Sequence, residues 1–339
     1  MFANGKCVDV HAHSMLPSYR KALEAASLGP NVRLPEWSPD LALSMMDRRG
    51  ILASIYSLSV PGTHLGDDAK AKELARRCNV EAAEILTKNA RLGAFATLPV
   101  PNIELACEEA VYALDVLKLD GIGLLTGYGG KYLGHADYDP LLEVLDERSA
   151  VVHVHPAVHP STSAVTLGVP NFLLEYPFDT TRAAVNILFA DVFERYPNVK
   201  FILSHGGGAL PFLAWRISAI AAWQLSRPPA SESFLKNRFP TKLTERVPEL
   251  SLGLMRTLLK RFWYDTALVS DRGAMSAIRE VADPSRILFG SDWPYAYEDT
   301  FVAEEVRSFN DPEVISASER SDIAWKNPIA LFPRLDSLC

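Results

Sequence analysis

An α/β fold, a (β/α)8 barrel, is predicted by three features of the chain. Eight short runs rich in Val, Ile, Leu and Phe recur along it with little polar alternation, which is how strands buried on both faces read. Amphipathic helical patterns separate them, and eight alternating strands and helices are the number that closes a barrel. Several of the runs end in His or Asp, whereas a doubly wound open sheet, the alternative, wants a Gly-rich phosphate loop after its first strand.

In chain order the first strand is Cys7–His13. Ser38 is a helix N-cap and Pro39 suits the first helical position, so Pro39–Arg49 reads as helix, followed by strand Ile51–Ser59. The long amphipathic stretch Asp68–Asn89 leads to strand Arg91–Pro99, and Ile103–Leu119 leads to strand Gly121–Thr126. Helix Pro140–Arg148 precedes strand Ala150–Pro156. Helices Thr180–Tyr196 and Ala209–Gln224 flank strand Lys200–Gly207. Strand Phe262–Leu268, helix Asp271–Val281 and strand Ile287–Pro294 complete the set, and helical segments follow from Asp299. Two stretches exceed simple connectors. Pro17–Pro35 follows the first strand and is a candidate lid; Arg227–Pro248 is a candidate arm for substrate or subunit contact. With no repeat, low-complexity tract or linker, residues 1–339 read as one domain.

The chain is 48% hydrophobic and 22% charged, the composition of a globular protein with a large core. Its net charge of −7 speaks against nucleic acid, which needs a basic surface, though not against an anionic small molecule. Cys7, Cys78, Cys107 and Cys339 form no CxxC pair, so they read as inert thiols of a reducing compartment. There is no signal-like start and no apolar run near the ~20 residues of a membrane span, so a cytoplasmic location without membrane partners is expected. A homo-oligomer, most simply a dimer, is expected from general frequency alone.

Four of the eight histidines sit where strands end. Val-Asp-Val-His11-Ala-His13 closes the first run, and period-two geometry puts both imidazoles on one face. The fifth run reads Val-Val-His153-Val-His155-Pro, the sixth ends Leu-Ser-His205-Gly-Gly-Gly, and the eighth ends Gly-Ser-Asp292-Trp-Pro. A lone polar residue there is ordinarily a satisfied core or turn residue. A set at one barrel mouth is costly without a shared partner. Imidazoles with a carboxylate suit Zn²⁺ or another first-row divalent ion.

These segments resemble the amidohydrolase superfamily. Within it the chain is similar to the branch of aminocarboxymuconate-semialdehyde decarboxylase and the ortho-hydroxybenzoate decarboxylases. His155-Pro156, Glu175-Tyr176-Pro177-x-x-Thr180-Thr181-Arg182, Leu203-Ser204-His205-Gly206-Gly207 and Gly290-Ser291-Asp292-Trp293-Pro294 carry the likeness. Tyr128-Gly129-Gly130-Lys131-Tyr132-Leu133-Gly134 adds a likeness to 6-methylsalicylate decarboxylases. The resemblance implies metal ligands His11, His13, His155 and Asp292, with Asp292 and His205 catalytic. His153 shares the parity of His155 but lies deeper, and is read as a supporting or core residue. Gly121–Thr126 contains no lysine of the kind that bridges two metals, so one divalent ion is expected, Zn²⁺ ahead of Mn²⁺. The branch's semialdehyde enzymes carry an arginine on the helix before the second strand; Asp40–Asp47 has none, and Arg48 and Arg49 come only at its end.

Two activities use such a site. In non-oxidative decarboxylation of an aromatic ortho-hydroxy acid, Asp292 protonates the ring carbon bearing the carboxylate and His205 stabilises developing charge. In hydrolysis of an ester, lactone or amide, Asp292 takes a proton from water and His205 polarises the carbonyl. The branch-like segments favour the decarboxylase, with a small aromatic carboxylate as substrate. A non-catalytic barrel would have lost a ligand. Trp293 and Tyr295 are candidate walls of an aromatic pocket or ordinary packing at the mouth. Tyr128, Lys131 and Tyr132 either contact substrate or flank a Gly129-Gly130 turn. Arg182 pairs with a substrate carboxylate or with Glu175. Glu36-Trp37 is a candidate part of the lid, and His64, His135 and His159 read as solvated loop residues.

Overall fold

The computed structural model describes residues 2, 6–26, 34–164, 167–225 and 252–338. The arm Arg227–Pro248 lies outside them, as do residues 27–33 of the stretch Pro17–Pro35, whose first part, Pro17–Ala25, is a helix.

Eight parallel strands run in chain order around the molecule. They are β1 Val8–His13, β2 Ala53–Ser57, β3 Leu92–Ala96, β4 Gly121–Leu125, β5 Val151–His155, β6 Lys200–Leu203, β7 Trp263–Asp265 and β8 Ile287–Leu288. The seam between β8 and β1 closes through backbone bonds. Val10 N donates to Phe289 O at 2.9 Å, Asp292 N to His11 O at 2.7 Å and His13 N to Trp293 O at 2.7 Å. The result is a nearly closed barrel with helices between its strands, as the sequence predicts. Its strands are shorter than the apolar runs because each run includes the residues that turn toward the next element.

Local chemistry places the connecting helices. Ser38 Oγ accepts from Leu41 N at 3.1 Å, Pro39 starts the helix Pro39–Arg49, and Gly50 ends it at φ 76°. Asp67 and Asn102 cap the helices Asp68–Lys88 and Ile103–Val111 in the same way. The helix expected over Thr180–Tyr196 departs from expectation at both ends, stopping at Phe189 before Asp191 at φ 58° and a separate short helix Val192–Arg195. The helix expected to open at Thr180 begins at Asn171 and runs through Pro177 to Phe189. Proline usually breaks a helix; here Thr181 Oγ donates to Pro177 O at 2.7 Å and in turn accepts from Ala209 N at 2.9 Å.

The barrel interior is layered. Val8, Val10, Ile55, Phe95, Val151, Ile202 and Leu288 are buried together in its lower part, and Leu331, Phe332 and Leu335 near the C-terminus pack against them. Each such side chain removed from water contributes about 1.5–3 kcal/mol. Among the described residues no helix is long and apolar enough to cross a membrane.

Candidate metal centre

The centre begins with an irregularity in β1. Val8 pairs with Ala53 and His13 with Ser57, but the register shifts between Asp9 and Ala12. Such a bulge re-aims the side chains after it. It lets Val8 and Val10 join the apolar floor while His11 and His13, of opposite parity, also turn inward. Just after β8 the approach to His11 requires Gly290, where an added Cβ would lie 2.8 Å from His11 Cβ. Asp292 follows at φ 56°, and His205 after β6 at φ 54°. Left-handed backbone is costly for residues other than glycine, Asn and Asp being the most tolerant, and it concentrates where function fixes it. Gly208 seats the loop after His205, since a Cβ there would lie 2.0 Å from Pro177 O.

These constraints converge four side chains. His11, His13, His155 and Asp292 are buried and each offers one donor atom, all within 4.8 Å of one another. His11 Nε2 lies 3.2 Å from His13 Nε2, and Asp292 Oδ1 lies 3.0 Å from His13 Nε2 and 3.4 Å from His11 Nε2. His205 Nε2 stands 3.6 Å from the other oxygen, Oδ2.

The far nitrogens are held. Asp265, at the end of β7, accepts from His11 Nδ1 at 2.8 Å and is itself fully buried. His155 Nδ1 meets Pro156 O at 2.9 Å; a carbonyl only accepts, so that nitrogen carries the proton and Nε2 has its lone pair free. His13 Nδ1 meets Ser57 Oγ at 3.1 Å. His153 lies a layer lower, with Nε2 3.4 Å from Asp265 Oδ2 and its ring stacked on Phe95. Asp265 also accepts from the backbone of His205 at 2.9 Å, so one carboxylate braces β1, β6 and β7.

Electrostatics follow from this packing. Burial opposes ionisation of Asp292, but the imidazoles of His11, His13 and His205 gathered around it outweigh burial and hold the carboxyl well below its usual range. Burial first, then the neighbouring imidazoles, pushes His155 well below the ordinary histidine value, and burial lowers His13. Burial likewise opposes charge on His11, yet Asp265 and then Asp292 overcome it and push its pKa up to about 10. Asp265 and Asp292 thus favour positive charge in the centre. Asp292 Oδ1 is buried with no hydrogen bond of acceptable geometry, although imidazole nitrogens surround it. A buried carboxylate oxygen gathered with imidazole nitrogens of His11, His13 and His155 is a donor set that fits a divalent cation.

The other expected site residues are placed unevenly. Tyr295 packs its ring 5.2 Å from that of His13. Trp293 is buried in the main core with its ring 6.4 Å from Tyr56. Tyr128 joins His155, Ser57, Thr63, Leu98 and Leu125 around a cleft of about 340 Å³, part of it open to solvent. Arg182 is exposed and adjoins Tyr132, rather than being seen on Glu175. Lys131 is paired with Asp137. Trp37 packs edge-on to Tyr56, whereas Glu36 is exposed near Arg20. Arg48 and Arg49 are engaged by Glu298 and Asp299. His64 is held by Asp68, His135 caps a short turn and His159 stacks on Tyr132. Sequence reasoning missed Asp265, although the signal was there: a buried apolar run ending in a carboxylate, as at Asp292. It also passed over Tyr176, whose ring lies 6.0 Å from that of His155.

Comparison with known proteins agrees with this geometry. The amidohydrolase family profile matches residues 8–334. The chain is 35% identical to decarboxylase yanB of Aspergillus niger, covering 96% of this chain and 87% of that protein. It is 34% identical to the 6-methylsalicylic acid decarboxylase acuB of Aspergillus aculeatus, covering 97% and 96%. Among solved structures, 2,6-dihydroxybenzoate decarboxylase from Rhizobium superposes with a TM-score of 0.77 at 26% identity, covering 97% of this chain and 99% of that one. The chain belongs to the amidohydrolase family.

Proposed function

We propose that this protein is a metal-dependent carboxy-lyase that removes CO₂ from an aromatic ortho-hydroxy acid, 6-methylsalicylate or a close analogue. The observation that carries the reading is the convergence of His11, His13, His155 and Asp292 on one point at the barrel mouth. Similarity to decarboxylases of hydroxylated benzoates supports this substrate class over the esters and amides of related hydrolases.

His11, His13, His155 and Asp292 would hold one divalent ion. When bound, it supplies positive charge for the phenolic oxygen and adjacent carboxylate of the substrate, fixing the ring. Three imidazoles and a carboxylate favour Zn²⁺ over Mn²⁺ as the resident ion, and metal analysis of protein purified without added metal tests this. Asp292 transfers a proton to the ring carbon that carries the carboxylate. The bond from that carbon to the carboxylate then breaks, its electron pair restores the aromatic ring, and CO₂ leaves. Asp292 is ionised at rest, so its proton arrives with each turnover. His205, 3.6 Å from Oδ2, is placed to pass it and to donate to the substrate's oxygen. Tyr128, Trp293 and Tyr295 wall the ring, and Arg182 lies at the rim. Residues 1–339 act as one domain. A dimer in the cytoplasm is the further expectation, tested by light scattering and by localisation of a tagged chain.

The deciding experiment follows loss of ultraviolet absorbance and release of CO₂ on a panel of ortho-hydroxybenzoates that includes 6-methylsalicylate. Protein is reconstituted separately with Zn²⁺ and Mn²⁺, with Asp292→Asn alongside. Turnover abolished in the variant is expected. A metal-loaded enzyme inert across the panel but active on lactones or esters would replace this reading with the hydrolase.

A further inference from the structure

We infer that Asp179 is a positioning residue for His155 and acts through a single peptide group; the inference rests on the metal reading above. Asp179 lies on the helix Asn171–Phe189 and is 2% exposed. Its Oδ2 accepts from Ala157 N at 3.1 Å, an N–H it shares with Thr126 Oγ at the same distance. That N–H belongs to the same peptide group as the Pro156 carbonyl, which accepts from His155 Nδ1 at 2.9 Å. The line therefore runs from carboxylate to peptide N–H, across the planar amide to its C=O, and on to the imidazole N–H. The peptide plane is rigid. A negative charge at its N–H end polarises it and makes the carbonyl a stronger acceptor, as in other hydrogen-bonded chains. This fixes the Nδ1–H tautomer of His155 and presents Nε2 toward His11 and His13.

The arrangement parallels the other side of the centre, where Asp265 grips His11 Nδ1 directly. Groups that orient a ligand imidazole in this way tune the metal it binds. Asp179 is also built into the mouth by two further donors: Tyr132 Oη on Oδ1 at 2.7 Å and Thr126 Oγ on Oδ2. Tyr132 belongs to the hairpin of Gly127–Tyr128 and Lys131–Tyr132, and Thr126 lies between β4 and that hairpin. The same carboxylate thus ties the hairpin to the loop after β5, and the two roles separate experimentally.

Wild type, Asp179→Asn and Tyr132→Phe are titrated with Co²⁺ alone against a chromophoric chelator, with circular dichroism to establish folding. Asp179→Asn is expected to weaken Co²⁺ binding roughly tenfold and to shift the cobalt d–d band. Tyr132→Phe, which removes only the hairpin's bond to the carboxylate, is expected to keep the wild-type affinity and band. A folded Asp179→Asn protein with wild-type affinity and spectrum overturns the inference, as does equal weakening in Tyr132→Phe. If Asp179→Asn does not fold, nitrogen NMR of ¹⁵N-histidine in the Zn²⁺-loaded wild type decides: a proton on Nδ1 of His155 supports the line, and one on Nε2 refutes it. Wild type that binds no Co²⁺ would instead overturn the metal reading itself.

Discussion

The two halves of the barrel interior are built from opposite materials. The lower half is Val8, Val10, Ile55, Phe95, Val151, Ile202 and Leu288, sealed by Leu331, Phe332 and Leu335. The upper half, toward the C-terminal ends of the strands, is His11, His13, Ser57, His153, His155, Ser204 and Asp265, all buried. Just beyond, His205 and Asp292 take left-handed backbone, and His153 Nδ1, His205 Nδ1 and Asp292 Oδ1 are buried without hydrogen bonds. Buried polar atoms lacking partners oppose folding by about 1–3 kcal/mol each, whereas packed apolar side chains favour it. Stability is thus generated by the floor, and chemistry is hosted by the mouth at a cost in stability. Barrel enzymes commonly show this division.

The sharpest way to break this contrast is Asp292→Asn. Turnover is expected to fall by roughly 10³-fold or more, the upper range for a positioned acid. The metal-free variant should melt below the wild-type temperature at neutral pH, because the imidazoles that hold the Asp292 carboxyl well below its usual range stabilise the fold only while it is charged. An unchanged melting temperature would show that the pairing of Asp292 with its imidazoles adds nothing to folding. Its counterpart is Phe95→Ala in the floor. Removing that ring from between His153 and Phe332 should lower unfolding free energy by about 3–5 kcal/mol, read from urea titration. A loss below ~1 kcal/mol would mean the floor is not the stabilising half.

Asp265→Asn tests the border between the halves. Expected is a 10- to 100-fold weaker metal affinity, at least as large as for Asp179, because Asp265 grips its imidazole with no intervening peptide. An unchanged affinity in a folded variant would leave Asp265 as a structural brace alone. The residue also marks how far the sequence could be read. The barrel and the strand-end polar residues were legible because each needs only a local pattern, an apolar run with a polar residue at its end, whereas the resemblance singled out His11, His13, His155 and Asp292 among them. The pairing of Asp265 with His11 spans 254 positions, and no periodicity within either strand encodes it. The bulge in β1 was hidden for a related reason. Strict alternation puts Val8 and Val10 on the face opposite His11, and only pairing with β2 shows that the chain has both groups facing in. The turns of the helix Asn171–Phe189 before Thr180 were not expected, and the bond from Ala209 N to Thr181 Oγ that holds this stretch is a contact made after folding.

The smallest expected effect concerns a carboxyl that touches no candidate ligand. Glu305, on the helix Ala303–Phe309, is 5% exposed and accepts from Leu268 N, while its Oε2 is buried without a partner. Burial pushes its pKa well above the ordinary 4.5, and the charges of Asp292, Asp9 and Asp265 add to the rise against the opposing Leu268 bond. The folded state therefore binds this proton more tightly than the unfolded chain. Its contribution to stability is full below the unfolded pKa near 4.5 and is lost as pH rises through the higher folded value. Glu305→Gln keeps the acceptor for Leu268 N and removes the titration. The variant should melt a few degrees above wild type at alkaline pH, on the scale of roughly 2–4 °C per kcal/mol for larger domains, and the gap should narrow toward pH 5. Melting curves of metal-free protein across that range measure it. A gap that stays constant with pH would mean that Glu305 is not held neutral by the mouth. The electrostatic cost of assembling that centre would then stop at the residues lining it, instead of reaching the helix packed behind them.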